Sequence, residues 1–271
     1  MQTLRALMLG DVVGEPGLQA LERHLPRIMQ ERSLHFVVAN GENAAGGFGI
    51  TEPYLQRIFA AGVDVVTGGN HTWEKREFWT TLDTDERALR PLNYPPGNPG
   101  KGYVQVEKPA PWNGAPLTWT VLNLQGREYM PSIDCPFQAF DSLYPQLNQS
   151  SITLLDFHAE SSREKEAFAR YLDGRVQVIA GTHTHVQTAD ERLLPKGTAY
   201  ISDLGMCGLL DGVIGMDTKI CLDRTRNQVL YRMEVATPAN NETAELQGII
   251  VAFDGATRKA LSIERLHTDT L

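Results

Sequence analysis

The sequence predicts an α/β fold built as one layered domain, and two observations carry that expectation. Short apolar runs alternate with segments of helical spacing. Five of the runs end in a glycine or polar corner that bears an Asp, Glu, Asn or His. Such corners furnish the crevice outside the carboxyl ends of strands in an open α/β sheet.

The elements follow in order. Ala6 to Leu9 is a buried-strand type of run that ends at Gly10-Asp11. Leu18, Leu21, Leu25, Ile28 and Met29 share one face of a helix over Leu18 to Gln30. Phe36 to Ala39 is the next strand, followed by a helix over Glu52 to Ala61 with Pro53 in its first turn, where a missing N–H costs little. Val63 to Val66 forms a strand, and Glu74 to Leu82 a helix. Prolines and glycines crowd Arg90 to Gly102 into a loop, after which Tyr103 to Val106 and Leu117 to Leu124 read as paired strands. A helix near Phe137 to Leu147, a strand over Ile152 to Phe157, a helix over Arg163 to Leu172 and a strand over Val176 to Ala180 come next. In the last third Ala199 to Ser202, Val229 to Val235, Gly248 to Phe253 and Leu261 to Arg265 are strand-like, and helices become scarce. Residues 1–271 are expected to form a single domain, because candidate site residues lie on both sides of the proline-rich loop.

With 271 residues, 42% of them hydrophobic, the chain can bury a core without disulfides. Its formal charge of −8 offers no strong surface for gripping a long nucleic acid. A small anionic substrate stays compatible with that balance, since a bound metal supplies local positive charge. Cys135, Cys207 and Cys221 are odd in number and form no C-x-x-C, which fits a reducing compartment and no thiolate metal site. The apolar stretch at the N-terminus is too short for a secretory segment and no window suits a membrane span, so a cytoplasmic protein without membrane contact is expected. A homodimer or larger symmetric oligomer is the general expectation for soluble proteins.

The five corners carry the chemistry. They hold Asp11, Glu42 with Asn43, Asn70 with His71, His158, and His183 with His185. Singly each has an ordinary explanation: a carboxylate after a strand caps a helix, Asn suits turns, and a strand-end histidine is often structural. His183-Thr-His185 is more specific, because in an extended segment alternate side chains share a side. Four of the seven histidines occupy these corners, whereas His24, His35 and His267 read as structural or exposed. Oxygen and imidazole donors without thiolate favour Mn, Fe or Zn over Cu(I). Two carboxylates against two divalent cations leave net positive charge, which suits a phosphate diester. Two metals roughly 3.5–4 Å apart activate a shared water and clamp an in-line displacement.

Gly10-Asp-Val-Val-Gly14, Asn40-Gly-Glu-Asn-Ala-Ala45, Gly69-Asn-His-Thr-Trp73, Asp156-Phe-His-Ala-Glu160 and Gly181-Thr-His-Thr-His-Val-Gln-Thr-Ala-Asp190 together resemble the calcineurin-like metallophosphoesterase superfamily. More closely they resemble its YmdB-like branch of bacterial phosphodiesterases. Pro99-Gly-Lys-Gly102, Asn123-Leu-Gln-Gly126 and Leu194-Pro-Lys-Gly-Thr-Ala199 extend the match over most of the chain. The resemblance implies a four-layer α/β/β/α sandwich holding two transition-metal ions, Fe or Mn foremost and Zn as a further option. Asp11 and His185 would hold the first metal, with Glu42 bridging to the second, and Asn70, His158 and His183 would complete the second. His71 would stabilise developing charge or protonate the leaving oxygen, and Asn43 would donate to a phosphoryl oxygen. A hydroxide between the metals would be the nucleophile, and 2′,3′-cyclic nucleotides are the implied substrate class.

Three positions depart from the wider superfamily: Val13 stands where its first motif has a metal-site histidine, Glu42 replaces a bridging aspartate, and Thr72 replaces an acid, with Glu74 left to orient His71. The YmdB-like branch shares all three. A phosphomonoesterase or protein phosphatase is the alternative within the same chemistry. A regulatory nucleotide-binding protein with vestigial catalysis is the alternative outside it.

Overall fold

The computed structural model describes residues 2–238 and 244–268. The first half runs β1 (Thr3–Val12), α1 (Gly14–Glu31), β2 (Phe36–Asn40), α2 (Glu52–Ala60), β3 (Val65–Thr67) and α3 (Trp79–Thr84). It continues through β4 (Tyr103–Pro109), β5 (Pro116–Gln125), α4 (Pro136–Leu143), β6 (Ile152–His158), α5 (Ser162–Leu172) and β7 (Val178–Thr182). The last third adds β8 (Arg192–Leu193), β9 (Ala199–Ile201), β10 (Met206–Gly208), α6 (Thr218–Asn227), β11 (Glu245–Asp254) and β12 (Ala260–His267).

Two six-stranded sheets result. One has the order β12-β11-β10-β1-β2-β3, with β1 also paired to β11; the other has the order β4-β5-β6-β7-β9-β8. Side chains alternate across each strand, so every central strand serves two cores. On β1, Leu7 and Leu9 pack under α1 and α2 with Leu18, Leu21, Leu25, Leu55 and Ile58. Ala6 and Met8 point the other way, into the layer between the sheets with Trp119, Val121, Leu154 and Ile249. Phe36 of β2 and Trp119 of β5 stack across that layer with ring centroids 4.8 Å apart. Beyond the second sheet Leu122, Leu155 and Phe157 meet Phe140, Phe168 and Leu172 of α4 and α5. The layering is the α/β/β/α sandwich, and the central core draws on strands from both sides of the proline-rich loop. Among the described residues no helix is long and apolar enough to cross a membrane.

Several expectations are corrected. Val229 to Val235 is not a strand: only Val235 makes a bridge, to Met216, and Leu230 is 85% exposed. Its apolar residues have no neighbouring strand to complete a ladder. The segment from Glu74 opens as a 3₁₀ turn over Arg76–Phe78 before α3 begins at Trp79. Three elements were not expected: the two-residue β8, β10 and α6. β10 joins β1 in parallel through Asp11↔Met206 and Val12↔Cys207. α6 is started by Asp217, whose carboxylate accepts from the Ile220 N–H at 2.8 Å.

Candidate metal centre

Both sheets deliver their parallel strand ends to one place. β1 carries Asp11, and its register with β2 shifts between Leu9 and Asp11. Gly41 follows β2 and hands on Glu42 and Asn43, while Gly68 and Gly69 follow β3 and hand on Asn70 and His71. From the opposite sheet His158 closes β6 beside Thr182, the last residue of β7, and His183 follows directly. Asp11, Glu42, Asn43 and His158 are buried. The approach is close enough to dictate a residue: a Cβ on Gly69 would lie 2.3 Å from His158 Cδ2 and 2.4 Å from Glu42 Oε2. Only a glycine lets the β3 corner pass His158 and Glu42.

Three imidazoles are held alike. His158 Nδ1–H donates to Thr182 Oγ1 at 2.9 Å, and that hydroxyl donates to Asp156 Oδ1 at 2.6 Å. Asp156 also accepts from Asn40 Nδ2 at 3.0 Å and from Thr67 Oγ1. His183 Nε2 lies 3.2 Å from Glu160 Oε2, and His185 Nδ1–H donates to the Ile214 carbonyl at 2.8 Å. In the neutral ring, an N–H engaged outward leaves the other nitrogen as an inward lone pair.

Those lone pairs converge. Asn70 Oδ1, Glu42 Oε1 and His183 Nδ1 lie 3.0, 2.9 and 3.1 Å from His158 Nε2. Glu42, His158 and His183 each offer a donor atom within 4.8 Å of the others. Adjacent to them His185 Nε2 sits 3.8 Å from Asp11 Oδ1, and the His183 N–H donates to Asp11 Oδ2 at 3.2 Å. Asp11 Oδ1 and Asn43 Oδ1 are buried without a hydrogen-bond partner. One proton cannot satisfy the three electron-rich atoms around His158 Nε2, nor reach those two orphaned oxygens, so the donor set fits cations.

Protein charges alone leave the site electrostatically divided. Burial pushes Asp11 up to about 6 against the pull of His185 and His158. Burial also opposes ionisation of Glu42, but the His158 and His71 charges and hydrogen bonds outweigh it and hold Glu42 down near about 2. His158 is desolvated yet raised to about 9, because Glu42, Asp11 and Asp156 favour its charge. Burial and the neighbouring His158 push His183 down to about 3. A proton therefore rests between Glu42 and His158 until a cation displaces it.

The expected extended geometry of His183-Thr-His185 is corrected. His183 and His185 have φ of 105° and 63°, so the segment is a tight turn that reaches the site through left-handed backbone. Asp203 pins it, accepting from the Thr184 N–H at 3.1 Å and from Lys165 Nζ at 2.7 Å. His71 lies at the mouth: its N–H donates to Glu42 Oε2 at 2.8 Å, and its Nδ1 is 3.5 Å from Glu74 Oε1. Asn43 Nδ2 donates to the Gly47 carbonyl at 2.9 Å, which uses one of its two N–H bonds.

The profile of the YmdB-like protein family matches residues 7–266. The chain belongs to that family. The 2′,3′-cyclic-nucleotide 2′-phosphodiesterase of Bacillus subtilis is a relative 42% identical over 264 residues, covering 97% of this chain and 96% of that one. A hypothetical protein from Thermus thermophilus has a crystal structure that superposes with a TM-score of 0.89 at 37% identity, covering 97% and 98% of the two chains. A phosphatase from Mycoplasma pneumoniae superposes with a TM-score of 0.89 at 31% identity, covering 98% and 94%.

Sequence reasoning on this YmdB-like chain overlooked the supports of the imidazoles. Asp156 stands two residues before His158 on one strand face, a spacing that could have exposed it. Asp203 follows the apolar β9 and is a sixth polar corner of the same kind. Lys165 and the Ile214 carbonyl left no local signal.

Asp156→Asn supplies a test of this support. An amide in place of the carboxylate can turn the Thr182 hydroxyl toward His158 Nδ1, moving the ring proton to Nε2 and removing the lone pair. Metal affinity is expected to fall about 10–100-fold, read by titration of Mn(II) into metal-free protein. Unchanged affinity would mean that the ring is oriented by something else.

Proposed function

We propose that this chain is a phosphoric ester hydrolase that uses two transition-metal ions, Fe, Mn or Zn, to cleave phosphodiesters, with 2′,3′-cyclic nucleotides as the substrate class. The observation that carries the reading is the set of three imidazoles tied outward through one nitrogen and aimed inward through the other at Asp11 and Glu42. The B. subtilis relative at 42% identity supports the diester and nucleotide part.

Asn70, His158, His183 and one oxygen of Glu42 would hold one cation. Asp11, His185 and the other side of Glu42 would hold the second, and Asn43, with one amide N–H held by the Gly47 carbonyl, would give its other N–H to a phosphoryl oxygen. When bound, such a pair supplies Lewis acidity that activates water and draws charge from phosphoryl oxygens. The remaining work falls to the chain. Glu42 keeps the two groups of ligands in one frame, and its hydrogen bond from the His71 N–H fixes where the His71 ring stands. His71, in the cavity wall and outside the convergent set, would give its proton to the departing oxygen.

The deciding experiment measures metal per chain in protein purified without chelator, alongside hydrolysis of a bis-aryl phosphate. About two metal ions per chain and loss of turnover on chelation are the expected result. Two metals without turnover would favour the regulatory reading. No metal after reconstitution with Mn or Fe would overturn the proposal. A rate on aryl monoesters far above that on diesters would reassign the substrate class.

A further inference from the structure

The metal reading uses only one side of the cavity. That cavity, about 380 Å³, is walled on one side by Glu42, Asn43 and the imidazoles, and on the other by Phe48, Ile214, Met216 and Met233. Its size suits a small organic ligand and not merely a phosphate group. Phe48 stands nearly perpendicular to the His71 imidazole, with planes at 79° and centroids 4.9 Å apart. Phe48 and Met233 are backed by a buried cluster of Val13, Met206, Met216 and Cys221, so the apolar wall is supported from behind. It therefore keeps its shape next to the reacting group.

Charge narrows the occupant further. Among the described residues that line the cavity there is neither lysine nor arginine, and Glu160 lies on its rim. A second phosphate, or a chain of nucleotides on either side of the scissile bond, would meet no protein cation there. A neutral planar ring meets the Phe48 side chain and two thioethers, which are polarisable and adapt to flat surfaces.

Resting on the diesterase reading above, we propose that Phe48, Ile214, Met216 and Met233 form the subsite for the uncharged base of a cyclic mononucleotide. The phosphate sits at the imidazole side and the base lies against Phe48 and Met233. Base recognition here is by contact with an apolar face, so the site accepts purines and pyrimidines.

The test compares kcat/KM for adenosine 2′,3′-cyclic phosphate with that for the methyl riboside 2′,3′-cyclic phosphate, which lacks the base. Wild-type enzyme is expected to favour the nucleotide by about tenfold or more, the scale of one base–aromatic contact. Phe48→Ala and Met233→Ala should each pull the ratio toward one. Because Phe48 touches His71, equal loss on both esters in Phe48→Ala with an unchanged ratio in Met233→Ala would assign Phe48 to holding His71 and overturn the subsite. A wild-type ratio of one would overturn it as well. Hydrolysis of neither ester by metal-loaded wild type would remove the diesterase reading, and the subsite with it, before any variant is compared.

Discussion

His71→Ala is expected to lower kcat on a 2′,3′-cyclic nucleotide by about 10²–10⁴-fold, the usual contribution of a positioned acid, with metal content unchanged. The reason is geometric. The His71 ring is not among the atoms that converge on His158 Nε2, and its link to the centre is the backbone N–H bonded to Glu42 Oε2. Alanine keeps that N–H and removes only the ring. The leaving oxygen of a cyclic nucleotide is an alkoxide that needs a proton, whereas an aryl oxide leaves without one. The loss should therefore be smaller on a bis-aryl phosphate. Metal per chain and the two kcat values decide it: equal penalties on both esters, or metal loss in proportion to activity, would remove the acid role.

Lys165→Met should destabilise the fold by about 3–5 kcal/mol, the scale of breaking a buried ion pair from one side. Lys165 and Asp203 are 2% and 1% exposed, and the single variant leaves the Asp203 charge buried without its partner. Urea unfolding measures the change. Lys165→Met combined with Asp203→Leu removes both charges, and stability should recover in part, short of wild type because the Thr184 and Gly205 N–H groups lose their acceptor. Metal binding should not return with it. Asp203 also accepts from the Thr184 N–H between His183 and His185, whose left-handed backbone needs that anchor. Recovery of both stability and metal in the double variant would show the pair to be purely structural.

The two behaviours mirror what the sequence could express. Alternation and helical spacing made β1, β2, β6 and α1 legible, because each puts apolar residues where a core needs them. The strand ends were legible because glycine and metal-compatible side chains sit where an apolar run stops. α6 was not, since only Cys221 on it is buried and no apolar stripe marks it. Val229 to Val235 misled for the opposite reason: its apolar residues suit a strand but no strand stands beside them. Lys165, Asp203 and Ile214 support the centre through distances of tertiary structure. Their roles depend on where other elements lie, which local pattern does not contain. The H-x-H pair was legible as a pair, while the turn that aims it was not, because its φ values are held by Asp203 from another part of the chain.

The pairing of β1 has a consequence for biosynthesis. One edge of β1 is occupied by β2, which emerges from the ribosome soon after it, but the other is filled from Thr3↔Asp254 to Leu9↔Gly248 by β11. Asp11 thus stands on a strand whose second neighbour lies far along the chain and is made long after it. A chain arrested before residue 245 would present that strand half-paired, with an open edge that invites other strands.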